Sequence, residues 1–165
     1  SVRATLLGSG AIMNEVLKAS EILETRYGVA AEVWSVTSYK ELRRDALETE
    51  RWNLLHPAQP PRLPYVSHCL NDADGPIVAA TDYMKALPDS IARWLPKPPV
   101  SLGTDGFGRS DSRAALRDFF EVDARYIVVA ALSALARENK VAAETAAQAM
   151  KELAIDPEKP NPAQG

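Results

Sequence analysis

Four short apolar runs separated by helical sequence constrain this chain more than any other feature. They are Ala4–Leu7, Ala30–Val36, Ile77–Ala80 and Val100–Gly103. Runs this far apart cannot be joined as tight hairpins. With a helix in each gap they pair in parallel and need helices on both faces of the sheet. The pattern predicts an α/β fold, a three-layer α/β/α sandwich of four or five strands.

The helical gaps carry their own punctuation. Ile12, Val16, Ala19 and Leu23 recur at helical spacing and form one stripe. Gly28 follows where a C-cap glycine belongs. Ser38, with Glu41 three residues on, is the N-cap of a helix over Tyr39–Leu47. Residues 54–66, LLHPAQPPRLPYV, hold four prolines and read as an ordered arm with apolar anchors. Asp82–Leu95 is helical sequence in which Pro88 forces a kink or a restart. Ser110 or Asp111 caps a helix running through Phe120, and Asp123 caps the next. The stretch Tyr126–Val129 is β-branched, but the alanine-rich pattern runs on without a turn signal and favours helix. A last helix covers 142–153. Residues 1–153 form one domain, and 154–165 make a polar, Pro-rich tail that is loosely held.

Charge excludes some partners. Nineteen Lys plus Arg against 22 Asp plus Glu give a net charge of −3, the wrong sign for a nucleic-acid module. No apolar run approaches the ~20 residues of a membrane span. The single cysteine, Cys69, cannot form an internal disulfide and fits a reducing cytoplasm. It reads as a small half-buried residue; as a nucleophile it would need a base, and His68 next door points to another face. The chain opens on Ser1, and its first strand begins almost at once. That implies a piece of a longer protein, with nothing that reads as a leader.

Two glycine segments invite a ligand. Gly8-Ser9-Gly10 lies between a strand and a helix, where a phosphate can sit. The dinucleotide fingerprint needs a third glycine where Met13 stands, and the second strand ends Trp34-Ser35-Val36 with no acid for a ribose. The turn therefore reads as structural. The second segment, Thr104-Asp105-Gly106-Phe107-Gly108-Arg109-Ser110-Asp111, follows a strand at the carboxyl end of the sheet, where open α/β folds place ligands. Asp105, Arg109 and Asp111 either pair to hold this loop or present it to a cofactor or a neighbouring domain. Trp52, ahead of the proline arm, is either an interface anchor with Leu54, Leu55, Leu63 and Tyr65 or packs beneath its own loop. His56, His68 and Cys69 lack zinc-site spacing. No nucleophile elbow, P-loop or other complete catalytic constellation is present, so no catalytic, cofactor-binding or metal residue is assigned.

Six stretches carry a family resemblance: LLGSG (6–10), EVWSVTSYKELRRDA (32–46), ERWNLLHP (50–57), ATDYMK (80–85), LGTDGFGRSDSR (102–113) and FEVDARYIVVAAL (120–132). With them the chain resembles the C-terminal domain of the transketolase-like, thiamine-diphosphate-dependent enzymes. It is most similar to the homodimeric decarboxylating components of bacterial pyruvate dehydrogenase complexes. The resemblance implies a mixed, mostly parallel sheet of about five strands. It also implies a cytoplasmic enzyme that decarboxylates pyruvate and passes the two-carbon unit to a lipoyl group on an acyltransferase. Thiamine diphosphate and Mg2+ would be bound by other domains, because the family's Gly-Asp-Gly motif with later paired asparagines is missing here. This domain would contact those domains and a second subunit, and segment 105–111 would face the active-site entrance. The alternatives are the same domain of another 2-oxo acid dehydrogenase or of a transketolase, or a non-catalytic α/β binding module.

Overall fold

The computed structural model describes residues 1–105 and 112–164. Its sheet comprises β1 (Val2–Gly8), β2 (Val29–Ser35), β3 (Ile77–Ala80) and β4 (Val100–Leu102). The order is β2-β1-β3-β4, and every pairing is parallel. About five strands are expected from the sequence; four, all parallel, are present among the described residues.

Alternation along the central strands builds two cores. Ala4 and Leu6 of β1 and Val78 and Ala80 of β3 join α1 (Met13–Tyr27), α6 (Ala124–Arg137) and α7 (Ala143–Glu152) through Val16, Leu23, Ile127, Leu132 and Ala149. Leu7, Ile77 and Ala79 meet Tyr39 of α2 (Tyr39–Leu55), Val66 and Leu70 of α3 (Tyr65–Leu70), and Ile91. Residues 4–7 and 77–80 are therefore buried without interruption, as strands covered on both faces require.

Three of the predicted caps are in place. Gly28 closes α1 with φ 65°, a left-handed conformation that glycine adopts without a Cβ penalty. The Ser38 side chain accepts from the Glu41 N–H at 3.1 Å, and the Asp123 side chain accepts from the N–H groups of Arg125 and Tyr126. Tyr126–Val129 is helical within α6.

Four local expectations need correction. The helix expected to end at Leu47 runs to Leu55, because residues 48–55 contain no glycine or proline; it stops at His56, whose α conformation is disfavoured by Pro57. Inside the proline arm, α3 starts at Tyr65, whose N–H donates to Asp45 Oδ2 at 2.8 Å. The span 82–95 holds only α4 (Ala86–Asp89) and a 3-10 turn, Ala92–Trp94; Pro88 sits in the first turn of α4, where its missing donor costs little. Beyond the undescribed residues, α5 (Arg113–Phe119) is capped by Ser112, whose Oγ accepts from the Ala115 N–H at 3.2 Å. The cap is thus neither Ser110 nor Asp111, and those two lie outside the described residues.

Candidate functional site

Strand order reverses between β1 and β3, and the crevice outside their carboxyl ends is where ligands of open α/β sheets collect. Here the strand ends are tied together. The Ser9 hydroxyl, after β1, donates to Thr81 Oγ1 at 3.3 Å, and Thr81 Oγ1 also accepts from the Tyr83 N–H at 3.1 Å. The Thr81 N–H reaches Leu102 O across the β3–β4 junction. Thr104 then binds the 82–85 turn twice: its N–H donates to Tyr83 O at 2.9 Å and its hydroxyl to Asp82 O at 2.7 Å.

Asp105 completes this clasp. Its Oδ1 accepts from the Lys85 N–H at 2.8 Å, fixing the point where the candidate entrance segment leaves the sheet. Gly103 is needed for the approach. A Cβ there would lie 2.6 Å from Tyr83 O and 2.9 Å from Lys85 N, both backbone atoms. Gly106, Phe107, Gly108, Arg109, Ser110 and Asp111 fall outside the described residues. On the far side, Arg117 of α5 reaches Asp82 Oδ2 at 3.7 Å. The 82–85 turn therefore touches both described flanks of the segment. Its tip residues Tyr83 and Met84 are exposed despite this anchoring.

Beside the clasp lies a cleft of about 620 Å3, bordered by Ser9, Gly10, Ser38, Lys40, Asp82 and Tyr83. The turn beneath it is built for packing. A Cβ on Gly8 would come within 2.5 Å of Met13 Sδ, so the small residue of this strand–helix contact stands at position 8 and the large one at 13.

The arm presents a different surface. Trp52 stacks on His56 with ring centroids 4.2 Å apart, and the Arg62 guanidinium covers the indole at 3.6 Å. Asn53 fastens the returning strand of the arm by accepting from the Arg62 N–H at 2.8 Å and donating to Arg62 O at 3.0 Å. Trp52 is consequently half-buried under its own loop, while Leu54 (76%), Leu55 (54%), Leu63 (48%) and Tyr65 (63%) stand exposed. The neighbouring Cys69 side chain holds the Tyr65 hydroxyl above its ordinary pKa. His68 is exposed while its neighbour Cys69 is half-buried. Among the described residues, no group of three or more His, Cys, Asp or Glu side chains could hold a metal ion.

Sequence reasoning did not single out Asp82, Lys85 or Thr104 as members of a clasp. The stretch ATDYMK marked the right place, but apart from the Thr81 hydroxyl and the Asp82 carboxylate its role is carried by backbone groups, which leave no trace in residue type.

Comparison with known proteins adds two findings. A family model described as "Transketolase-like TK C-terminal domain" matches residues 1–123. The pyruvate dehydrogenase E1 component of Pseudomonas aeruginosa is 52% identical over 158 residues, 95% of this chain and 18% of that protein. Its namesake in Escherichia coli (strain K12) is 50% identical over 161 residues, 97% and 18% of the two chains. In Mycolicibacterium smegmatis the figures are 46% over 153 residues, 93% and 16%. The chain thus spans less than a fifth of the length of these relatives.

Proposed function

Since the chain belongs to the transketolase-like C-terminal domain family, we propose that it is that domain of a pyruvate dehydrogenase E1 component, serving assembly and the active-site entrance. The observation that carries this reading is identity of 46–52% across nearly the whole chain to proteins of that name. The intact enzyme would decarboxylate pyruvate in the cytoplasm, as a homodimer, and hand the two-carbon unit to a lipoyl group on an acyltransferase component. No helix among the described residues is long and apolar enough to cross a membrane.

Thiamine diphosphate, which the family implies, does not fit the residues present. Its diphosphate is held through a divalent metal and needs a converging set of oxygen ligands. The described residues offer no such set, and the sequence lacks the Gly-Asp-Gly and paired-asparagine motif. The cofactor and Mg2+ would therefore be bound by other domains, and no step is assigned to a residue of this chain.

What these residues do is hold and present. The clasp of Thr81, Tyr83, Lys85, Thr104 and Asp105 fixes the root of segment 105–111, so the segment can stand at an entrance without ordering its own base. The exposed leucines of the arm and Tyr65 offer apolar side chains that another domain or a second subunit would cover. Calorimetric titration of the 165-residue chain with thiamine diphosphate and Mg2+ tests the division of labour. The expected result is no saturable heat; micromolar binding would overturn it.

A further inference from the structure

The tail that the sequence marks as a loose end is instead fastened to the molecule. Ala154, at φ 55°, turns the chain out of α7, and the Ile155 N–H closes on Met150 O at 2.9 Å. Ile155 packs against the core, and a turn at Asp156 presents Lys159 to the end of α5. There Lys159 Nζ donates to Phe119 O at 2.7 Å and to Asp118 O at 3.1 Å. Glu121 Oε1 lies 3.6 Å away, and the rings of Phe119 and Tyr126 stand within 5.6 Å of the ammonium.

These contacts fall on an element that puts no side chain into the core. No residue of α5 is buried; Phe120, just past its end, is the first to reach the core. A seven-residue helix without a buried face is not stable by propensity. Its last carbonyls have no partner within the helix, and a cation there donates hydrogen bonds to them and offsets the negative end of the helix dipole. Ion pairs add to the attachment: Arg117 to Asp82, and Asp118 to Arg125, which in turn grips Asp123 and Leu153 O. The Lys159 side chain is about three-quarters buried, so its bonds are more sheltered from salt than those of a fully exposed pair.

We infer that the carboxy-terminal tail is a strap that positions α5, with Lys159 as the residue that fastens it. Because α5 is the element onto which segment 106–111 leads, the strap also sets the exit of that segment, while the Asp105 clasp sets its entry. The effect on turnover rests on the proposed place of the segment at the active-site entrance; the effect on α5 does not.

Both are read in the full-length protein carrying Lys159→Gln, with Lys159→Arg as the conservative variant. Hydrogen exchange at the amides of Leu116, Phe120 and Val122, which close the α5 turns, should quicken about tenfold in Lys159→Gln. Lys159→Arg should restore it, and exchange in α1 and α6 should stay unchanged. Unchanged exchange at α5, or equal acceleration throughout the domain, would overturn the inference. If exchange responds in this way, kcat/KM for pyruvate should fall in step, with cofactor affinity steady and the arginine variant recovering both. Faster α5 exchange with unaltered kinetics would support the strap and refute the entrance reading beneath it.

Discussion

Gly103→Ala is the sharpest probe of the clasp. The new methyl would lie 2.6 Å from Tyr83 O and 2.9 Å from Lys85 N, with Lys85 Cγ at 3.1 Å. The first two are backbone atoms and cannot rotate away, so the strand end or the 82–85 turn must move. Overpacking of this kind costs about 1–3 kcal/mol. The displaced backbone carries two hydrogen bonds, Thr104 N–H to Tyr83 O and Lys85 N–H to Asp105 Oδ1, each contributing about 1 kcal/mol. The expected loss is about 2–4 kcal/mol, or a Tm lower by about 5–15 °C for a chain of this size. Gly10→Ala supplies the contrast. Gly10 has φ 56°, but a Cβ there meets nothing within 4 Å, so only backbone strain of about 1 kcal/mol is charged. Urea denaturation of both variants at pH 7 decides the matter. If Gly103→Ala loses no more stability than Gly10→Ala, the close approach of the two loops is not holding the site.

Two other perturbations have definite signs. The Tyr39 hydroxyl is buried without a hydrogen-bond partner, and burial holds its pKa above the ordinary tyrosine value. Tyr39→Phe should therefore raise stability at pH 7 by about 1 kcal/mol. Above about pH 10 the unfolded chain loses this proton while the folded chain keeps it, so wild-type stability falls as pH rises further; the variant should fall less, and chemical denaturation at pH 7 and 11 reads both. Replacing exposed Leu54 and Leu55 together by Ser should leave the melting of the 165-residue chain within about 0.5 kcal/mol while weakening self-association of the full-length protein, measured by sedimentation.

The parts of this fold legible in the sequence are those set by local chemistry. Ser38 with Glu41, Asp123 and Gly28 each act within five residues, and each sits where its type predicts. The strands were legible because burial on both faces writes continuous apolar runs such as Ile77–Ala80. What escaped depends on distant partners. Helix α3 begins where Asp45, twenty residues earlier, accepts the Tyr65 N–H. The turn at 82–85 gives up helix because Thr104 and Asp105 take its backbone groups. The tail is fixed by Lys159 reaching carbonyls forty residues back, which a polar, proline-rich composition does not reveal. For the candidate site, position after β4 was legible, but the anchoring of Asp105 on Lys85 was not.

The central claim is that this domain shapes access to the active site and leaves the cofactor to other domains. Arg109→Ala in the full-length protein addresses it most directly, since Arg109 lies in the proposed entrance segment and on no cofactor motif. Pyruvate turnover should be measured against a lipoyl acceptor, with thiamine diphosphate titrated separately. The account predicts kcat/KM lower by about tenfold, equivalent to roughly 1.4 kcal/mol of lost transition-state stabilisation, with cofactor affinity nearly intact. An unchanged kcat/KM, or a loss of cofactor affinity that explains the whole defect, would contradict it.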